Sequence, residues 1–307
     1  IAIADHTEDD GDLVSAGAVR VFRYVDGAWD QMGSTIRGTG ANQAPQAGRG
    51  LALSDDGLSL AVGFPGEDMY RGTDYGVARA YTWDEATSEW VQRGADIYQP
   101  ATKSAGDATF SRRLAFDNTG DVLIIGATNW FARYVWEASN WVQIGSVRSH
   151  DSNNTIDVEG DYVLAGPRYS GYRWTGAGWS GLSFSSNSLG GRDPGDTGSV
   201  DLAVINDETH GDVLVRLYGG YDRDLNTSNG PRILGGIGAN ASNDFRPFYT
   251  EATSGSNWLY GASSAMDASA TTLLLTGPGY VRNADGSNIG RIDILRRTSV
   301  SYGTNNA

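Results

Sequence analysis

Residues 51–65 read LALSDDGLSLAVGFP: an apolar run, an acidic turn, then a second apolar run ending at Gly63-Phe64-Pro65. The same alternation returns as LAFDNTGDVLIIGAT at 114–128, TIDVEGDYVLAGP at 155–167 and SSAMDASATTLLLTGP at 263–278. A looser copy, VDLAVINDETHGDVLVRLYGG, occupies 200–220. Short apolar runs separated by Asp/Asn/Gly turns read as antiparallel hairpins. The opening residues, IAIAD, match the second strand of the pattern alone.

A second pattern follows the first four copies. It reads AVRVFRYVDGAWDQMG at 18–33, VARAYTWDEATSEWVQRG at 77–94, ARYVWEASNWVQIG at 132–145 and GYRWTGAGWSGL at 171–182. Each is an aromatic strand, a short polar turn and a strand opening with Trp29, Trp90, Trp141 or Trp179. One unit is therefore four strands. The glycine closing its second strand recurs at Gly63, Gly126, Gly166, Gly219 and Gly277, with Ala4 in the matching place. Copies at irregular spacings of roughly 40 to 60 residues fit propeller blades. No long 3.6-residue apolar period occurs, so helices should be scarce.

The pattern predicts an all-β chain folded as a single β-propeller over residues 1–307, with four-stranded antiparallel blades. Six blades are expected; seven stay open because 221–258 is poorly patterned. The strand-like Ser299–Tyr302 in the tail is expected to complete the first blade and close the ring. Alternatively, the chain is a piece of a longer protein. Leu53, Leu60 and Val62 should face neighbouring blades. Gly57 should take a positive φ in its turn, and Gly63 should permit close packing. The Trp positions should pack between blades, or else stack on a ligand.

Composition narrows the function classes. Gly 42 with Pro 8 marks turns rather than a Pro-rich tail, and Trp 9 with Tyr 15 is a β-type palette. A formal net charge of −14 argues against a nucleic-acid or anionic-membrane surface and leaves cations as partners. With Cys 0, disulfides, zinc-thiolate sites and thiol nucleophiles are excluded. No run approaches the roughly 18 apolar residues of a membrane span, so no membrane insertion is expected.

The pairing of SDDGLSLAVG with VARAYTW and WVQRG resembles FG-GAP-type repeats, those of integrin α-subunit-like propellers. The resemblance covers 1–182 well and 197–298 loosely. It implies a propeller fold and an extracellular or cell-surface role as an adhesive or structural module, often with calcium in blade loops. WD40, kelch and sialidase-type patterns fit less well. Trp29-Asp30 and Trp83-Asp84 occupy different places in their units, a double glycine follows the second strand only at Gly219-Gly220, and Ser54–Gly57 lacks the following Trp.

The family's calcium motif is a D-x-D-x-D-G-x-x-D loop, whose alternate oxygens converge on one hard cation. The nearest match, DRDLNTSNG at 222–230, places Asp222, Asp224, Asn226 and Ser228 at alternate positions. It lacks the third Asp, the Gly after it and a terminal carboxylate. A second acidic cluster, Asp5, Glu8, Asp9, Asp10 and Asp12, follows the second strand of its unit, as Glu67, Asp68 and Asp74 do in the next. Such acids repel unless a cation or a basic partner sits among them; otherwise they form a solvated rim. Sequons stand at Asn153, Asn226 and Asn240, so a secreted eukaryotic chain would carry glycans there.

Catalytic signals are thin, and no catalytic residue is assigned. His6, His150 and His210 lie in no metal-ligand spacing, and neither a G-x-S-x-G elbow nor a phosphate loop occurs. The reading is an extracellular structural or adhesion module for protein–protein assembly, not an enzyme, with calcium as its one expected cofactor. A carbohydrate-binding propeller is the alternative, favoured by exposed aromatics beside Asn/Asp. A glycoside hydrolase or lyase would need convergent carboxylates in the central channel.

Overall fold

The computed structural model describes residues 1–39, 46–67, 76–103, 109–149, 156–165 and 170–182, and the backbone of seven strands between 200 and 296. Every helix or strand among the described residues is a β-strand. The chain divides into two compact units, Ile1–Gly166 with Tyr172–Gly181, and Pro167–Gly171 with Leu182–Ala307.

The first unit is a series of antiparallel meanders. Blade 1 holds β1 (Ala2–Asp5), β2 (Ala18–Val25) and β3 (Ala28–Arg37). Blade 2 holds β4 (Leu51–Leu53), β5 (Ser59–Phe64), β6 (Val77–Asp84) and β7 (Glu89–Gln92), with the short β8 (Ile97–Tyr98) also on β6. Blade 3 holds β9 (Arg113–Phe116), β10 (Val122–Gly126), β11 (Trp130–Glu137) and β12 (Asn140–Ser149). Blade 4 holds β13 (Ile156–Glu159), β14 (Tyr162–Ala165), β15 (Ser170–Trp174) and β16 (Trp179–Leu182). The first strands of blades 2, 3 and 4 lie against one another in turn, and β1 lies against β4. Sheets that share an inner edge and fan outward in chain order are propeller blades.

Strand β5 shows why these residues form blades. All six of its residues are buried, because both faces meet a neighbour. Leu60 and Val62 pack toward blade 1 with Val19, Val21 and Met32. Ala61, on the other face, packs with Leu123 and Ile125 of blade 3. In β10, Ile124 in turn packs with Val158 and Val163 of blade 4. Alternate residues of one strand therefore serve two cores. Each fully buried Leu or Val contributes about 1.5–3 kcal/mol.

The turn chemistry matches the sequence. Gly57 has φ +73°, and its N–H donates to Ser54 O at 2.8 Å. Asp56 Oδ1 accepts from Ser54 Oγ at 2.6 Å and from the Leu58 N–H at 2.9 Å. Gly63 is where a Cβ would run into the Ser111 carbonyl of the next blade. The close approach expected there is present.

β1 pairs with β2 as the second strand of a blade, with Ile3 opposite Arg20 as Val62 is opposite Arg79. Blade 1 has three strands among the described residues. The second unit holds a sheet of β17 (Val200–Asp207), β18 (Gly211–Tyr218), β19 (Ser228–Ile237) and β20 (Arg246–Thr253). It also holds a sheet of β21 (Ser263–Met266), β22 (Thr272–Arg282) and β23 (Asn288–Arg296). The poorly patterned 221–258 tract thus supplies β19 and β20 of one four-stranded sheet.

Candidate functional site

The acidic rim loops are held from within. The register makes Asp5 equivalent to Phe64, and so Glu8 to Glu67 and Arg20 to Arg79. The same turn opens both loops, with the Glu8 N–H on Asp5 O and the Glu67 N–H on Phe64 O. Glu8 accepts both guanidinium nitrogens of Arg20, at 2.9 and 2.7 Å, and Arg37 Nη2 at 2.6 Å. These hydrogen bonds, Arg20's first and then Arg37's, hold its pKa down at about 2. Asp5 Oδ1 accepts the Thr7 hydroxyl and N–H, which lower its pKa as well. Asp9 accepts the Ser15 N–H at 2.8 Å.

In blade 2 the same pair is buried. Glu67 Oε2 lies 2.7 Å from Arg79 Nη1, and its Oε1 accepts the Thr39 hydroxyl at 3.0 Å. Arg79 also makes a fork to Asp96 at 2.9 and 3.0 Å, and its guanidinium carbon lies 4.5 Å from the Phe64 ring centre. Burial disfavours the Arg79 charge, but the Asp96 bond and the charges of Glu67 and Asp96 outweigh it and raise its pKa. Burial likewise opposes the Asp96 charge; the bond to Arg79 and its charge outweigh it and lower the Asp96 pKa. Burial pushes the neighbouring Tyr81 up to about 12. In blade 3 the loop shrinks to Thr128-Asn129, and Ala132 stands in the place of the arginine.

For Glu8 and Glu67 the basic partner is arginine from the same blade. Among the described residues, no group of three His, Asp or Glu is placed to hold a metal ion. Asp222, Asp224 and Asn226 of the calcium motif lie outside the described residues, and Ser228 opens β19, paired with Thr253. The sequon residues Asn153, Asn226 and Asn240, and the loop acids Asp68 and Asp74, also lie outside the described residues.

The aromatic pairs form a second repeated device. Tyr24–Trp29, Trp83–Trp90 and Trp136–Trp141 are cross-strand partners in the same register, with ring centres 5.1, 5.5 and 5.5 Å apart. Trp90 Nε1 donates to Met32 O of blade 1 at 3.1 Å, and Trp141 Nε1 to Arg93 O of blade 2 at 3.0 Å. The residue before each Trp adds a clamp: Glu89 accepts the Ser34 N–H at 2.8 Å, and Asn140 the Ala95 N–H at 3.1 Å.

The receiving strand carries a glycine with positive φ under the other ring of the pair. Gly33 (φ +66°) lies beneath Trp83, Gly94 (φ +85°) beneath Trp136 and Gly145 (φ +76°) beneath Trp174. Gln31, Gln92 and Gln143 each donate to the carbonyl of that glycine, at 3.0, 3.2 and 3.0 Å. The string W-x-Q-x-G, at 29–33, 90–94 and 141–145, is thus both halves of a joint. Its Trp plugs into the preceding blade, and its Gly receives the following one. The threefold recurrence was the sequence signal for this joint; its Gln and Gly acquire meaning only from the neighbouring blade.

Blade 1 keeps the plug and shows it to solvent. Trp29 is 54% exposed where Trp90 is 9% exposed, and Tyr24 is exposed beside it. Ile1 and Ile3 are half exposed on the same face, where their equivalents Leu60 and Val62 are fully buried. Asp26 and Asp30 flank the pair in the turn and on β3.

No family model and no curated protein matches this chain. Solved structures do resemble it at low identity. A protein of Desulfotomaculum acetoxidans described as functionally unknown is 9% identical, with a TM-score of 0.50 over 91% of this chain and 82% of that one. The Cps50 (Swd1) β-propeller domain of Myceliophteria thermophila is 11% identical, with a TM-score of 0.45 over 92% and 91%. Kuenenia stuttgartiensis hydrazine synthase is 11% identical, with a TM-score of 0.46 over 89% of this chain. The chain spans 66% of that protein. It is the strand order described above, antiparallel meanders laid inner edge to inner edge, that makes the chain a β-propeller protein.

Proposed function

We propose that this chain is a structural module of an extracellular or cell-surface assembly, built from FG-GAP-like blades and joined to other proteins through its surfaces. The observation that supports this reading most directly is the uncovered blade face bearing Ile1, Ile3, Tyr24 and Trp29. Apolar faces of this kind mark interaction surfaces. The rim acids support it too, because Glu8 and Glu67 are engaged by arginines that hold loops to strands. Calcium in the 222–228 loop and glycans at Asn153, Asn226 and Asn240 belong to the same reading as proposals.

The test is a stoichiometric complex with a defined extracellular protein that a Tyr24→Ser/Trp29→Ser double variant loses, followed by analytical ultracentrifugation. Turnover of any member of a sugar panel would overturn it in favour of an enzyme. A second reading is sugar binding, favoured by the exposed Tyr24–Trp29 pair beside Asp26 and Asp30. Saturable sugar binding without turnover, abolished in Trp29→Ala, would select that reading.

A further inference from the structure

We infer that the joint between blades 3 and 4 is a binding site for a small oxyanion, a sulfate, phosphate or carboxylate, held by Arg148 and by the indole N–H of Trp179. The site stands apart from the assembly role proposed above and is built from β11, β12, β15 and β16 alone. The joints between blades 1 and 2 and between blades 2 and 3 show what it has changed. In register, Val21 and Ala80 are the equivalents of Arg133, and Ile36 and Ile97 those of Arg148. Those four residues pack into the apolar cores of the first two joints. The third joint holds guanidinium groups at both places.

The aromatic plug changes with them. Trp174 covers Gly145 as Trp83 covers Gly33 and Trp136 covers Gly94, so blade 4 is seated as the others are. Trp90 and Trp141 donate to carbonyls of the preceding blade, but Trp179 Nε1 is buried with no hydrogen-bond partner among the described residues. Arg148 Nε is buried and unmet in the same way, and the Arg148 guanidinium carbon lies 4.8 Å from the Tyr172 ring centre. The fully buried Phe131 ring lies 5.4 Å from Tyr172 and 5.0 Å from Trp179, centre to centre. Both unmet donors therefore belong to the surroundings of one ring. Arg133 shares this face of blade 3, its guanidinium carbon 5.3 Å from the Trp174 ring centre. Its nearest carboxylate, Asp161, stands 3.9 Å away with a side chain 53% exposed. Burial lowers the Arg133 pKa, against the charges of Asp161 and Asp117.

Every one of these groups is a donor, since guanidinium and indole nitrogens accept no hydrogen bond. Buried cations are paired in folded proteins, so the ligand that fits brings negative charge as well as acceptor oxygens. Stacking on Tyr172 leaves the planar edge of Arg148 for in-plane bonds to two oxygens, the geometry by which arginine takes carboxylates and phosphates.

The test follows the Trp179 indole N–H by 1H–15N NMR, assigned by its loss in Trp179→Phe, at constant ionic strength. Sodium sulfate, phosphate and acetate are the probes. At least one should shift that resonance saturably, while the Trp90 and Trp141 resonances, already bonded to carbonyls, stay in place. Arg148→Ile restores the residue of the other joints and should weaken binding about tenfold, the effect of losing one hydrogen bond from a charged group. Arg148→Gln replaces it if the Ile variant does not fold. A sulfated monosaccharide beside its unsulfated parent separates the two sources of such an anion: an ester that binds as sulfate does assigns the site to a sugar-borne group, and one that does not assigns it to the free ion.

The inference falls if none of the three anions gives a saturable shift, or if Arg148→Ile binds as tightly as wild type. It falls if the Trp90, Trp141 and Trp179 resonances move together, which is a bulk salt effect. It also falls if binding appears only in Asp151→Asn, because the chain would then supply its own carboxylate to Arg148.

Discussion

Blades 1 and 2 are the same device in two surroundings. Their strands share register from Ile3 opposite Arg20 and Val62 opposite Arg79 to Tyr24 opposite Trp29 and Trp83 opposite Trp90. Both tie a loop glutamate to a strand arginine. In blade 2 the pair is enclosed, the glutamate side chain 3% exposed; in blade 1 it faces water at 28%. The aromatic plug follows the same division. Local sequence sets which contacts a blade is able to make, and the neighbouring blade decides what those contacts are worth.

The largest contrast should be between the two tryptophans. Trp90→Ala empties a joint and strands the Met32 carbonyl, so it should cost about 3–5 kcal/mol in urea unfolding. Trp29→Ala removes the same side chain from water-facing surface and should stay within about 0.5 kcal/mol. Equal losses would mean that Trp29 is covered in solution.

Breaking the ion network comes next. Arg79→Met leaves Glu67 and Asp96 without their cation in a site with little water. Removing one partner of a buried pair costs about 3–5 kcal/mol, although replacing the whole set with apolar residues is often neutral. Arg20→Met, at the rim, should change unfolding much less, because solvent screens that pair. If Arg20→Met matched Arg79→Met, the division between rim and interior would be wrong. A smaller contrast tests the joint's glycine. Gly94→Ala meets both a positive φ and the Trp136 ring and should cost about 1–3 kcal/mol. Gly27→Ala has a φ of +90° and open space around it, so it should lose only the backbone part of that cost.

Much of the fold was legible because its causes are local. The Ser54–Gly57 turn is written in its own residues, and the unbroken apolar run Leu60-Ala61-Val62 states that both faces of the strand are buried. The glycine at 63 announced a close approach without saying to what. The site was less legible, because its causes lie between blades. Glu8 and Arg20 are twelve residues apart, and only the loop length and the β1–β2 register bring them together. Trp29 and Trp90 open near-identical strings, so no reading of either string separates the exposed ring from the buried one. Gln92 reads as a surface residue until its amide is found on the Gly94 carbonyl, shaping the seat for Trp136.

The finest test of the comparison is acid titration of the exposed pair. Glu8 has an ordinary pKa of 4.5 and is held at about 2 in the fold by hydrogen bonds from Arg20 and then Arg37. A carboxyl whose pKa is depressed by folding binds its proton more readily when unfolded. Its contribution is therefore fully present above about pH 4.5 and is lost as pH falls toward about 2. Asp5, Asp84 and Glu89 are also lowered, so the wild-type curve alone reports a sum. Glu8→Gln isolates one member: the stability gap between wild type and variant should be flat near neutral pH and close through that window. Salt should shrink the same gap at pH 7, because the pair faces solvent. A gap that stays constant through acid would mean that the Glu8 charge adds nothing to folding, and a gap that resists salt would put the pair out of reach of solvent and erase the difference between the two blades.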